Sequence, residues 1–97
     1  MIVHIVMFKF KEKEKQANLV KVRAILEQLP SKIDELLSME VGINFDTAER
    51  AMDLSLISTF KTKEDLASYA IHPAHIKVVD FIKTVVTESK VVDYIQQ

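Results

Sequence analysis

The chain opens on a segment, residues 2–10, whose alternating positions are apolar on both sides. One side carries His4 together with Val6, Phe8 and Phe10. The other side carries Val3, Ile5 and Met7. Because successive side chains of a strand point to opposite faces, this pattern predicts a strand that is covered on both sides and lies in the middle of a layered structure.

Further along the chain, the spacing of apolar residues changes between the helical and the strand period. A helical stripe predicts a first helix that ends near Leu29 and is stopped by Pro30. Alternation predicts strands over residues 39–45 and 53–60, joined by a polar connection of hairpin length, and a last strand over residues 91–95. Thr62 stands three residues before Asp65, which is the capping-box spacing and predicts the start of a second helix.

The second helical region is interrupted by the segment from Tyr69 to His75, which contains Pro73. Proline is favoured at the first helical position and drives its predecessor toward extended geometry, so we expect a kinked corner and a new helix over residues 73–86. The helical period then places His75 on a stripe of branched aliphatic residues that faces inward. An imidazole in this position needs a buried polar partner or a polar pocket.

The resulting order, strand, helix, strand, strand, helix, strand, predicts an α+β fold of the ferredoxin-like βαββαβ class. In this class a four-stranded antiparallel sheet carries its helices on one face. The opposite face would contain Val3, Ile5 and Met7, which are too apolar to remain in contact with water. We therefore expect a homodimer in which the sheets of two copies pack together as a dimeric α/β barrel.

Composition narrows the classes of partner and site. The 97 residues, 48% of them apolar, predict a single domain over 1–97, and a net charge of −1 predicts no binding of nucleic acid or membrane. The absence of cysteine removes thiolate chemistry and disulfides and is compatible with the cytoplasm, where we expect the protein. The three histidines do not have metal-ligand spacing, so we predict neither a metal nor another cofactor.

Several fragments together resemble the stress-responsive dimeric α/β-barrel family across almost the whole chain. They are Val3-His4-Ile5-Val6, Gly42-Ile43-Asn44, Asp53-Leu54-Ser55-Leu56, Tyr69 to His75, and Val92-Asp93-Tyr94. One branch of this family is represented by olivetolic acid cyclase, a plant enzyme that closes a linear polyketide by intramolecular aldol condensation. The resemblance is strongest at the Tyr-x-x-His-Pro-x-His segment, and it implies the same fold and a dimer.

The resemblance also implies a candidate site. It matches Tyr69, His75 and Asp93 to the tyrosine, the catalytic histidine and the carboxylate that orients this histidine, and it matches His4 to a histidine of the first strand. We take His4, His72 and Leu54 as candidate residues of a ligand pocket. In such a site the histidine removes a proton alpha to a carbonyl, and the tyrosine hydroxyl binds the developing enolate oxygen.

Two interpretations remain open at this point. In the first, the protein is a small homodimeric stress-responsive barrel that binds a small hydrophobic or polyketide-like molecule, and His75 donates a structural hydrogen bond to Asp93. In the second, it is a cofactor-free cyclase-like lyase that uses His75 as base. The first helix carries Asn18, Leu19 and Val22 where the cyclase has aromatic pocket residues, so the cyclase's substrate is not transferred to this chain.

Overall fold

The computed structural model describes residues 1–97 as four strands, three α-helices and one short 3₁₀ turn at Leu29–Ser31. The strands and helices are β1 (Ile2–Phe10), α1 (Lys15–Glu27), β2 (Ser38–Ile43), β3 (Leu54–Phe60), α2 (Lys63–Ala70), α3 (Pro73–Val85) and β4 (Val86–Ile95). All strand pairs are antiparallel, and the strands are ordered β2-β3-β1-β4 in the sheet. The predicted ferredoxin-like fold is therefore confirmed.

Strand β1 is an inner strand, as its two apolar faces predicted, and pairs with β3 on one side and β4 on the other. Its helix-facing apolar side chains belong to one core cluster of 17 buried residues, which also includes residues of all three helices. Phe60, Val22 and Ile33 of this cluster are fully buried. Each fully buried aliphatic or aromatic side chain contributes about 1.5–3 kcal/mol to the free energy of unfolding.

The sheet surface that points away from the helices, which we call the far face, carries a second apolar patch. Residues directly opposite each other on paired strands share a face, and Ile5 lies between Ile57 of β3 and Val92 of β4. The patch comprises Val3, Ile5, Met7, Ile57, Val92 and Tyr94. Whereas Val3 is buried by its neighbours, Ile57 is 37% and Val92 is 52% exposed. A single chain therefore leaves much of this patch in water.

The corner between α2 and α3 forms as the proline predicted. The Thr62 hydroxyl accepts a hydrogen bond from the Asp65 N–H at 3.1 Å, which begins α2. Helix α2 ends at Ala70 and α3 begins at Pro73. His72 is the N-cap of α3, and its Nδ1 accepts a hydrogen bond from the Ala74 N–H at 3.1 Å. The two caps fix the positions of Tyr69 and His75 on either side of the corner.

Element ends differ from the predictions where the chain is polar. Strand β2 ends at Ile43, and Phe45 is 98% exposed in the loop that follows, so its predicted place in that strand is wrong. The Asn44 side chain bonds to the backbone of Asp46 and turns the chain there. Strand β4 begins at Val86, five residues earlier than predicted, because it is an edge strand whose exposed positions, such as Glu88, tolerate charge.

None of the three α-helices is long and apolar enough to cross a lipid bilayer.

Candidate functional site

His4 and Asp93 form a cross-strand pair on the helix-facing side of the sheet. They are direct partners in the antiparallel pairing of β1 with β4, and His4 Nδ1 is hydrogen-bonded to Asp93 Oδ1. The predicted hydrogen bond between His75 and Asp93 is therefore wrong. The physical reason is register: the strand pairing brings the Asp93 carboxylate directly opposite His4, whereas His75 lies on α3 and has a different partner.

The partner of His75 is the backbone carbonyl of Ala70, on the other side of the α2–α3 corner. His75 Nδ1 lies 3.1 Å from this oxygen. Since a carbonyl oxygen only accepts, Nδ1 carries the proton, and Nε2 of the neutral ring keeps its lone pair. Burial lowers the pKa of His75, and the charges of His4 and His72 lower it further, against a raising effect of the Ala70 hydrogen bond. The ring is therefore held neutral near pH 7.

Tyr69 packs beside His75 with a ring-centroid distance of 4.2 Å and an interplanar angle of 41°. Its ring also lies 6.4 Å from that of His4 and 5.0 Å from that of Phe60. Tyr69 is only 1% exposed, and its hydroxyl is buried without a hydrogen-bond partner. Burial raises the pKa of Tyr69 to about 12, so the hydroxyl stays protonated. A buried hydroxyl without a partner costs about 1–3 kcal/mol, which a bound acceptor would recover.

A cavity of about 230 Å³ lies between α3, α1 and the sheet, with both imidazoles in its wall. Apart from His4, His75 and Ser89, its wall consists of apolar side chains from all of these elements, which are Val6, Phe8, Leu26, Leu56, Val78, Val79, Ile82 and Val91. No lysine, arginine, aspartate or glutamate lines it. The arrangement suits a small uncharged molecule that accepts a hydrogen bond or exchanges a proton with an imidazole.

The predicted site residues are only partly brought together. Tyr69 and His75 are in contact, and the His4–Asp93 pair lies beside them, so these four residues form one cluster. The predicted pocket residue Leu54 lies outside this cavity, because Leu56, two residues along β3, is the side chain that lines it. His72 also lies outside and caps α3. Of the four clustered residues, His4 and His75 line the cavity, whereas Tyr69 and Asp93 lie behind them and are not in its wall.

Sequence reasoning missed two features of this site, the role of Leu56 and the partner of His4. The alternation that defined β3 places Leu54 and Leu56 on the same face and cannot decide between them. The pairing of His4 with Asp93 could have been found by aligning the last strand antiparallel to the first. No group of three His, Cys, Asp or Glu side chains in the chain could hold a metal ion.

Two sequence comparisons relate this chain to known proteins. A sequence model described as "Stress responsive A/B Barrel Domain" matches residues 2–96. A stress-response A/B barrel domain-containing protein from Arabidopsis thaliana is 35% identical over 81 residues, which cover 80% of this chain and 30% of that protein. The chain thus matches less than a third of that relative's length.

Two solved structures show how widely the fold is shared. A dimeric ferredoxin-like protein of unknown function from Bacteroides fragilis has a TM-score of 0.88 at 30% identity, over 96% of this chain and 93% of its own. A hydroxynitrile lyase from Passiflora edulis has a TM-score of 0.87 at 20% identity, over 99% of this chain and 93% of its own. At that identity the lyase shows a common fold and nothing about chemistry.

Replacing Asp93 by alanine tests which histidine the carboxylate orients. We expect His4 to lose its fixed Nδ1–H tautomer, whereas His75 keeps its own because the Ala70 carbonyl is still present. Long-range ¹H–¹⁵N spectra of the imidazole rings read both tautomers in one sample. A tautomer change at His75 with none at His4 would contradict the observed pairing.

The depressed pKa of His75 predicts a specific pH dependence of stability. Because the unfolded chain binds the proton more tightly, the free energy of unfolding is highest above the ordinary histidine value of 6.5 and decreases as pH falls toward the lower folded value. The stability difference between wild type and His75→Gln should therefore be larger at about pH 8 than at about pH 5 in urea titrations. An equal difference at both values would refute the neutral, buried ring.

Proposed function

Because the chain belongs to the stress-responsive A/B barrel domain family, we propose that it acts as a homodimer that binds a small uncharged molecule in the cavity between His4 and His75. The observation that carries this proposal is the buried Tyr69 hydroxyl, which has no hydrogen-bond partner. Tyr69 is not in the cavity wall, but its ring packs against His75, which is. A ligand with a carbonyl or hydroxyl oxygen would supply the missing acceptor.

The far face of the sheet supports the dimeric part of the proposal. Its exposed apolar side chains lie on three neighbouring strands, β3, β1 and β4, and form one continuous patch. Contiguous apolar patches of this kind mark interfaces, and a twofold axis lets one such patch cover its own copy. The Bacteroides fragilis relative, at 30% identity, is described as dimeric. We place this dimer in the cytoplasm, with which the absence of cysteine is compatible.

The uncharged wall of the cavity supports the choice of ligand class. A carboxylate or phosphate that entered it would lose its hydration without meeting a lysine or arginine. A neutral ketone, aldehyde or alcohol avoids this cost and still offers an oxygen to Tyr69. The volume of about 230 Å³ favours a molecule of roughly one ring or a short chain over a large ligand.

A second candidate function, cofactor-free lyase or cyclase chemistry, is favoured by the state of His75. Its neutral ring has a free Nε2 lone pair, and the ring of Tyr69, whose hydroxyl stays protonated, packs against the imidazole. Nε2 would take a proton alpha to a carbonyl while Tyr69 donates to the enolate oxygen, and the imidazolium would then return the proton. The Ala70 carbonyl stabilises an imidazolium less than a carboxylate does, so His75 is a weaker base here than in a histidine–carboxylate pair.

A charge in the far-face patch should dissociate the dimer. In Ile57→Lys the ammonium group would be buried without a partner, so sedimentation equilibrium should give the 11.1 kDa mass of one chain, whereas wild type gives twice that mass. Val20→Glu is the matched control, because Val20 is an exposed apolar residue of α1 on the helical side, and this variant should stay dimeric. A single-chain mass for wild type, or equal dissociation of both variants, would overturn the dimer.

Acetophenone is a suitable probe of the cavity, since it is small, neutral and carries one acceptor oxygen. We expect it to shift the NMR signals of the Val6 and Val78 methyl groups, and Tyr69→Phe should weaken its binding by about 2- to 12-fold, the value of one hydrogen bond. Ethylbenzene has the same shape without the acceptor, so its binding should be the same in wild type and variant. Failure of both compounds to bind would refute the ligand site.

The same probe separates binding from catalysis. If His75 is a base, wild type should accelerate exchange of the acetophenone methyl protons in D₂O, and His75→Gln should abolish this exchange while binding persists. Binding without accelerated exchange in wild type would leave the binding function standing and refute the lyase.

A further inference from the structure

A second concave surface lies on the outside of the helical layer, between α1 and α3. This groove has a volume of about 480 Å³. Its floor is apolar and includes Ile25 of α1 together with Val78 and Phe81 of α3. It shares only Val78 with the cavity between His4 and His75, and it lies on the opposite side of the molecule from the far face. It would therefore stay open in the dimer.

Three lysines line this groove, Lys21 from α1, Lys32 from the segment after the 3₁₀ turn, and Lys77 from α3. No aspartate or glutamate is among the lining residues, although the chain as a whole has a net charge of −1. None of the three ammonium groups lies within 4.0 Å of a carboxylate oxygen. The groove is therefore a local concentration of uncompensated positive charge.

Two lysines outside the groove have polar partners. The ammonium group of Lys11 donates to the Thr84 carbonyl at 3.0 Å, and that of Lys15 lies 3.3 Å from Glu12 and 3.4 Å from Asp53. In the groove, Lys21 instead extends over the ring of Phe81, with Nζ 4.2 Å from the ring centroid. This contact holds the Lys21 ammonium group directly above the apolar floor. An organic anion that binds this ammonium group would therefore place its own apolar part against the same floor.

From these observations we infer that the groove binds an amphiphilic organic anion, whose carboxylate lies among Lys21, Lys32 and Lys77 and whose apolar body covers Ile25, Val78 and Phe81. The floor excludes a bare inorganic anion as the preferred occupant, because such an ion would leave the floor in water. The volume fits a small molecule of one or two rings or a short acyl chain.

Naphthalene-2-carboxylate is the probe that tests this inference, with naphthalene-2-methanol as its uncharged counterpart. Titration of ¹⁵N- and methyl-labelled full chain should shift signals of Ile25, Ala74 and Phe81, with the carboxylate binding about tenfold more tightly than the alcohol at low salt. Raising the salt concentration should reduce this preference. The variant Lys21→Gln/Lys32→Gln/Lys77→Gln should lose it.

The matched control is Lys13→Gln/Lys61→Gln/Lys83→Gln, which makes the same change in net charge at exposed lysines outside the groove. This control should bind the carboxylate within about twofold of wild type, since distant surface charges are screened. Equal binding of acid and alcohol, equal loss in both triple variants, or shifts confined to Val6 and Val91 of the other cavity would each overturn the inference. So would preferential binding of an acidic peptide under conditions where the naphthoate does not bind.

Discussion

The structure depends on one constraint, the need to cover both apolar faces of β1. A strand that is apolar on one face alone can keep its polar face in water, but β1 is apolar on both faces from Ile2 to Phe8, apart from His4. Its helix-facing residues therefore join the core below all three helices, and it occupies an inner position between β3 and β4. On the far face the same strand has Ile5, which the chain covers only in part, and Met7, which is exposed.

The candidate site follows from this central strand. His4 is the one polar residue on the helix-facing side of β1, and the pairing with β4 brings Asp93 directly opposite it. The α2–α3 corner then adds Tyr69 and His75 from above, because the two caps and Pro73 fix where one helix ends and the next begins. The site therefore combines residues far apart in sequence through two ordinary devices, strand register and a proline corner.

The sequence predicts most of this fold because the period of apolar residues changes clearly between elements. The order of elements, the kink at Pro73, the cap at Thr62 and the central place of β1 all follow from that pattern. The early start of β4 does not, because Thr87 and Glu88 lie on an edge strand, where polar residues carry no strand signal. Phe45 was misplaced for a related reason: the alternation continues past Ile43 although the chain turns at Asn44.

The candidate site was less predictable, since its geometry depends on which residues face each other. Periodicity gives the face on which His75 lies, but its partner is a backbone carbonyl, and backbone groups leave no signal in a sequence. The lysine groove depends in the same way on how α1 and α3 lie together. Its three cations are separated in sequence, and only the packing of the two helices places them around one apolar floor.

If one face of β1 forms the cavity and the other an interface between copies, isotope-filtered NOE spectroscopy on a mixture of labelled and unlabelled chains should distinguish the two faces. We expect intermolecular NOEs at the methyl groups of Ile57 and Val92, and only intramolecular NOEs at those of Val6 and Val78. Intermolecular NOEs confined to the helix-facing methyl groups, or none at all, would show that the far face is not the interface.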